Sequence, residues 1–334
     1  MQTSREVIKA AIEFTTPDRL PVMFGQMGND DVHWVGRNHV GRTVSNMIEI
    51  VKTMTNAYCD EWDCVWQKTD LENMGQIKIH PIDEWEKFDG YIFPDADNKA
   101  YYEGIENQFK NSKDKYVVTG IFMLLFEKLQ ALRGFENVLE DLYFEQENIS
   151  DLADRVVDYD LKIIKNMSSL FPGQIHGLNF TDDWGTENAL MINPKMWDEF
   201  FKPRYKIIFD ACHDVGWHVW MHSCGKVNEM IASLVDIKCD VINLQQPRAL
   251  GIEKVGREFA GKICFQTTCD IQHTMPFESI DYIQKEAKLL MDCWGTESGG
   301  FILSDYGSDV AIGTTREKTE AMYEAFMRYD RWKK

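Results

Sequence analysis

The residues best suited to chemistry are His222 and Cys224, in the run Trp217-His-Val-Trp-Met-His222-Ser-Cys224-Gly225. The apolar first half reads as a β-strand, with the pair at its carboxyl end. Side chains alternate along a strand, so residues two apart share a face. An imidazole and a thiolate on one face suit zinc, and a third protein ligand would leave one coordination position open for a substrate. The same spacing also fits a buried histidine and an inert cysteine beside a tight glycine turn, since a lone His-x-Cys lacks the further ligands of a closed site.

Phe180-Thr-Asp182-Asp183-Trp184-Gly185 follows another strand-like run, 175–180. Adjacent acids at a strand end can position a substrate, move a proton or orient a metal-binding histidine, which makes Asp182 and Asp183 catalytic candidates. They fit a capped turn equally well. After the first strand comes Gly25-Gln26-Met-Gly-Asn29-Asp30-Asp31, with His33 and Trp34 behind it. Its amides, Gln26 and Asn29, suit a ligand loop or simply a solvated one. Trp66, in Asp60–Trp66, and Trp184 can wall a pocket or pack a core. Later runs end in Asn243, Gln245 and Gln246, in Cys269-Asp270-Ile-Gln272-His273, and in Ser304-Asp305-Tyr306-Gly-Ser308-Asp309. Polar residues ending one strand after another argue for an active site at that end. The substrate-binding candidates are accordingly Gln26, Asn29, Trp66, Trp184, Asn243, Gln245 and Asp270.

Such residues need elements to hold them. Strand-like runs are predicted at 20–24, 63–66, 116–121, 175–180, 217–221, 241–244, 263–267 and 301–303. Helices are predicted at 3–14, 43–57, 126–133, 135–144, 150–170, 195–213 (interrupted near Pro203), 226–236, 251–258, 279–294 and 315–329. Thr3 with Glu6 and Thr314 with Glu317 have capping-box spacing. Residues 70–115, rich in Gly, Asp, Pro and Tyr, read as a loop excursion. Strands alternating with helices imply a parallel sheet with right-handed crossovers. The fold class is α/β: one closed TIM barrel with an N-terminal helical extension and loop excursions, a single domain over 1–334. No Gly-x-Gly-x-x-Gly follows the first strand, which weighs against a dinucleotide-binding sheet.

The chain has 334 residues, 44% of them apolar and 27% charged, enough for one barrel with a large core. Its net charge of −18 argues against nucleic acid and against anionic membrane surfaces. The first residues lack the apolar stretch of a signal peptide, and no window reaches the ~20 apolar residues of a membrane span. The eight cysteines are scattered without disulfide-framework spacing, which suits reduced thiols in the cytoplasm.

At these residues the chain resembles the uroporphyrinogen decarboxylase superfamily over essentially its whole length. The resemblance is carried by Thr-Pro-Asp-Arg-Leu-Pro-Val (16–22), Leu132-Arg-Gly, Asp182-Asp-Trp-Gly, Ile192-Asn-Pro194, Phe201-Lys-Pro-Arg-Tyr-Lys206, His222-Ser-Cys-Gly225, Asp270-Ile-Gln272 and Gly299-Gly-Phe-Ile302. It implies a single (β/α)8 barrel. The decarboxylase itself has an Arg-rich loop after the first strand for its polycarboxylate tetrapyrrole. Here that loop is Gln26-Met-Gly-Asn-Asp-Asp31, with no Arg before Arg37, and its acids would repel a polyanion.

The chain is more similar to the cobalamin-dependent methyltransferases, which bind zinc through a His-x-Cys pair and a distant cysteine. His222 and Cys224 match. In place of the family's later Gly-Cys stands Gly307-Ser308, so the third ligand must come from elsewhere: Asp305 first, with Cys269, Tyr306 and Asp309 as alternatives. An oxygen ligand would suit zinc as a Lewis acid on an ether, amine or thioether methyl donor. The resemblance thus implies transfer of methyl from a small methylated substrate to the corrinoid (methylcobalamin) of a partner corrinoid protein, with Asp182, Asp183 and Tyr306 as catalytic candidates. A homodimer is one assembly open to it. The other readings are a metal-free decarboxylase or lyase of a small carboxylic acid, and a catalytically silent ligand-binding barrel.

Overall fold

The computed structural model describes residues 1–41, 46–68 and 75–333. Its packing divides the chain into two compact units. The first comprises Met1–Val35, Asn107–Phe122 and the chain from Phe171 onward; the second comprises Gly36–Glu106 and Met123–Leu170. No helix among the described residues is long and apolar enough to cross a membrane.

The first unit is an α/β barrel. Its strands are β1 (Val22–Phe24), β2 (Asn29–Asp30), β3 (Val32–Trp34), β4 (Tyr116–Ile121), β5 (Gly177–Thr181), β6 (His218–His222), β7 (Val241–Leu244), β8 (Cys264–Thr267) and β9 (Phe301–Ser304). They hydrogen-bond in the order β2-β1-β9-β8-β7-β6-β5-β4-β3. Every pair is parallel except β1 with β2. Strands β7, β8 and β9 are buried at every position, as expected when both faces of a parallel sheet are covered. Helices Lys202–Asp214, Asn228–Asp236, Ile252–Phe259, Ile280–Trp294 and Arg316–Arg328 follow strands β5 to β9.

Asp31 laces the remaining gap between β1 and β3. Its N–H donates to the Val22 carbonyl at 2.8 Å, and its carboxylate accepts the Val22 N–H at 2.9 Å. A carboxylate buried this deeply needs a partner. Arg19 supplies a two-pronged one, at 2.7 and 2.5 Å, and the Ser4 hydroxyl adds another hydrogen bond.

Helix α1 (Ser4–Ile12) carries the expected Thr3/Glu6 capping box. Its Val7, Ile8, Ala11 and Ile12 pack in one buried cluster with Val32, Tyr116, Val118, Trp220, Val241, Cys264 and Ile302. These strand residues lie toward the amino ends of their strands and face inward, so α1 closes that end of the barrel. Two positions further along, the inward residues are His222, Asn243, Gln266 and Ser304. A polar layer thus lines the carboxyl end, where barrel chemistry sits.

The second unit contains an antiparallel sheet of Ala57–Cys59, Val65–Gln67 and Gln76–Ile79, with helices Asn46–Val51, Phe126–Arg133, Phe135–Phe144 and Gln146–Leu170. Arg37 forks onto Glu61 at 2.9 and 2.5 Å, Arg133 pairs with Asp141 at 2.9 Å, and Trp62 meets Tyr159 edge-on at 4.7 Å.

Several elements differ from expectation. The stretch taken as a loop after β1 forms β2 and β3. The helix expected at 43–57 spans Asn46–Val51, its first residues falling outside the described ones, and Ala57–Cys59 is a strand. Part of the 70–115 excursion (70–74) also lies outside the described residues. The interruption near Pro203 is a wide π-type turn, Trp197–Phe201, which accommodates a residue without an N–H. The last helix is capped by Thr315, whose side chain accepts from the Lys318 N–H; Thr314 instead bonds the Met275 carbonyl.

Candidate metal centre

The loops after β5 and β6 form the site. Because the two strands are parallel neighbours, their loops leave side by side and lock together. The Asp182 N–H donates to the His222 carbonyl (3.0 Å), the Trp184 N–H to Ser223 Oγ (3.1 Å), the Gly185 N–H to the Cys224 carbonyl (3.2 Å) and the Lys226 N–H to the Thr186 carbonyl (2.8 Å). The glycines are required by this approach. Gly225 has φ +78°, and a Cβ there would stand 2.2 Å from the Gly185 oxygen; a Cβ on Gly185 would stand 2.6 Å from the Lys226 nitrogen.

Asp183, His222 and Cys224 come together in these loops, each offering one ligand atom within 4.8 Å of the others. His222 Nε2 lies 3.3 Å from Cys224 Sγ and 3.7 Å from Asp183 Oδ1. The same Asp183 oxygen accepts the Cys224 N–H at 2.8 Å. On the other side of the ring, His222 Nδ1 is 2.6 Å from Asn243 Oδ1. Asn243 Nδ2 donates to the Gln266 carbonyl at 3.1 Å, which fixes which way the amide points. Its oxygen can only accept, so Nδ1 carries the proton and the Nε2 lone pair faces the thiol and the carboxylate. Gln246 Oε1 accepts the Gly225 N–H and steadies the loop. The side chains of His222 and Asp183 are 17% and 35% exposed, so the group is reachable from outside. One nitrogen, one oxygen and one sulfur donor, with the imidazole already in the metal-binding tautomer, fit a zinc ion that keeps one open position.

Asp305 and Cys269, expected as third ligand and its alternative, are not in this group. Asp305 follows β9, three strands round the sheet from β6, and accepts the Gln26 N–H at 2.9 Å. Cys269 is buried against helix Ile280–Trp294, its thiol donating to the Ile283 carbonyl at 3.6 Å. Burial pushes that thiol's pKa well up, the reverse of what a thiolate ligand needs. Asp309 accepts the Thr319 hydroxyl at 2.6 Å, and Tyr306 stands 42% exposed after β9.

Other candidates take supporting places. Asp182 is fully buried and accepts the Tyr205 hydroxyl. Trp184 is also fully buried: its ring meets Phe201 edge-on at 4.6 Å and its Nε1 donates to Tyr205 (3.1 Å), so it is core. Trp66 belongs to the second unit, stacked on Tyr58 and donating to Asp60 at 2.8 Å. Asp270 caps a turn, accepting the N–H groups of Gln272 (3.0 Å), His273 (2.8 Å) and Arg248 (3.2 Å). The Gln245 carbonyl accepts the Ile271 N–H at 3.1 Å. Asn29 is exposed and donates to the Tyr323 hydroxyl at 2.9 Å. Gln266, inside an apolar run, does not stand out in the sequence. Its signal was its alternation with Cys264 in β8, level with Asn243 on β7.

Fold and site together describe an α/β barrel with a candidate metal centre at its carboxyl end. The chain belongs to the uroporphyrinogen decarboxylase (URO-D) family, which matches residues 81–329. A methyltransferase from Methanosarcina mazei shares the fold over 98% of this chain and 99% of its own, with a TM-score of 0.68 and 13% identity. An endo-β-1,4-xylanase from Gloeophyllum trabeum aligns over 71% of this chain and 84% of its own, with a TM-score of 0.42 and 10% identity. No curated protein matches the sequence.

Proposed function

We propose that this chain is a zinc-dependent methyltransferase that moves a methyl group from a small O-, N- or S-methyl donor to the cobalt of a corrinoid carried by a partner protein. The observation that carries this reading is the convergence of Asp183, His222 and Cys224 at the open end of the barrel. The Methanosarcina mazei protein of like fold, itself a methyltransferase, agrees with it. Decarboxylation of a polycarboxylate fits less well, because the β1 side of the opening presents the carboxylates of Asp30 and Asp305.

Zinc held there would serve as a Lewis acid on the donor heteroatom. The chain's own residues do the rest. Asn243 keeps His222 Nε2 aimed at the centre, and Asp183 ties down the Cys224 backbone while offering an oxygen. Asp182 acts at one remove, as the acceptor for Tyr205. Tyr306, exposed on the loop after β9, is the candidate proton donor to the leaving heteroatom. The carboxyl end of β3 and the segments following β4, β8 and β9 expose Trp34, Phe122, Phe277, Tyr306 and Val310, apolar surface suited to a protein partner.

The test is elemental analysis of the wild type beside His222→Ala, Cys224→Ser and Asp183→Asn. The expected result is about one zinc per chain, lost from each variant while the circular dichroism spectrum is kept. The wild type should then methylate cob(I)alamin, read from its absorbance. A wild type without zinc after reconstitution would remove this reading in favour of a metal-free lyase or a silent binding barrel.

A further inference from the structure

The inward layer continues past Asn243. Its next members are Gln266 on β8 and Ser304 on β9, 4% and 1% exposed. Gln266 donates Nε2 to Met23 Sδ at 3.2 Å, and its Oε1 has no partner; Ser304 Oγ has none either. An unpaired buried polar group has lost its water without gaining a partner, which destabilises the fold. Proteins retain such groups where something else completes them.

Met23 marks the place. In the sheet it pairs with Ser304 on one side and with Asp30 on the other. Directly opposed residues of an antiparallel pair share a face, so Asp30 lies on the face of Met23. Asp305 follows Ser304, held by the Gln26 N–H, and the Oε1 of Gln26 is also buried without a partner. Burial raises the pKa of both carboxyls. Asp31 and Asp305 add repulsion at Asp30, as Asp309 does at Asp305; Lys115 and Arg316 pull the other way without prevailing. The surroundings are thus rich in oxygen acceptors and negative charge. A bound positive charge carrying N–H donors would satisfy both at once.

We infer that Gln266 Oε1, Ser304 Oγ and the carboxylates of Asp30 and Asp305 form a subsite for an organic ammonium group, on the β9–β1 side of the opening, away from His222 and Cys224. This names the substrate class of the proposed methyltransferase: a methyl donor with an ammonium group apart from its methylated heteroatom. The proposed methyl transfer enters only in calling the ligand a substrate; the binding needs no metal chemistry.

The probe is 2-methoxyethylammonium, titrated calorimetrically into the full-length protein against neutral 2-methoxyethanol, anionic methoxyacetate and calcium chloride. The expected result is at least tenfold tighter binding of the ammonium compound than of any other. Asp305→Asn should cut that preference below threefold, and Asp30→Asn does the same should the first variant not fold. Gln266→Met should weaken ammonium binding at least fivefold yet raise the melting temperature, because it deletes an unpaired buried oxygen; a structural glutamine would lower it. Equal or tighter binding of the neutral ether, the anion or calcium, or no binding at all, overturns the subsite. Ammonium binding to a chain without zinc or methyl transfer keeps the subsite and fells the proposed function. Zinc-dependent methyl transfer from a neutral ether with no cation preference does the opposite.

Discussion

His222 Nδ1 lies 2.6 Å from Asn243 Oδ1, and this contact decides which ring nitrogen faces Cys224. The two residues are level with each other on adjacent strands, so the sheet register holds the contact in place. Asn243→Leu should weaken zinc binding by roughly 10–100-fold, the usual cost of losing such an orienting partner. Asn243→Asp keeps the acceptor for Nδ1 and should hold zinc near the wild-type affinity, while losing stability because it no longer donates to the Gln266 carbonyl. Competition against a chromophoric chelator reads both, and unchanged affinity in the Leu variant would mean that the ring orients itself.

The crossing of Gly185 and Gly225 gives a second prediction. Gly225→Ala puts a methyl where the Gly185 carbonyl stands, at a residue of positive φ. Urea unfolding should show a loss of roughly 2–4 kcal/mol, the scale of steric strain at such positions. Zinc should fall with it, since the displaced loops carry Asp183 and Cys224. A stable variant with full zinc would show that the loops can part without consequence.

Tyr205→Phe separates support from ligation. The hydroxyl donates to buried Asp182 and accepts from Trp184 Nε1 at 3.1 Å. Its removal should cost about 1–3 kcal/mol of stability. Zinc content should not change, because neither partner is in the donor group. Zinc lost without a stability change would place Asp182 in the centre after all.

The opposite end of the barrel sets a pH dependence. Burial lowers the pKa of His176 to about 4, and its Nδ1 accepts the Val117 N–H at 2.8 Å. The unfolded chain therefore takes up a proton near pH 6.5 that the native ring refuses. Stability should fall as pH drops from about 6.5 toward 4, by at most ~1.4 kcal/mol per pH unit for one proton. His218, lowered by burial, acts in the same direction; His213, raised by its hydrogen bond to Asp240, acts against it. The difference between wild type and His176→Asn, which keeps an acceptor, isolates the effect. Parallel stability curves would reject it.

The barrel was readable because β4 and β7 to β9 are apolar runs between turn signals, and amphipathic helices follow them. β2 and β3 were not, because Asn29, Asp30 and Asp31 read as loop residues; the Arg19–Asp31 pairing, with the Ser4 hydroxyl and the Val22 N–H, makes a strand end there tolerable. His222 and Cys224 stood out through their own spacing. Asp183 as their companion did not, because what joins it to Cys224 is the adjacency of β5 and β6 across 41 positions of chain. Asp305 looked closer only along the chain. Trp184 and Trp66 show the same limit: a tryptophan's residue type does not tell whether it faces a ligand or, as here, Tyr205 and Tyr58.

Helix α1 has a kinetic consequence. With the barrel stoppered at its amino end, the methyl donor and the partner protein of the proposed reaction would share one doorway. Under the proposed chemistry the methyl donor has to be seated first, since a docked partner would block its path. Turnover would then be ordered, and excess partner would slow the reaction that it completes.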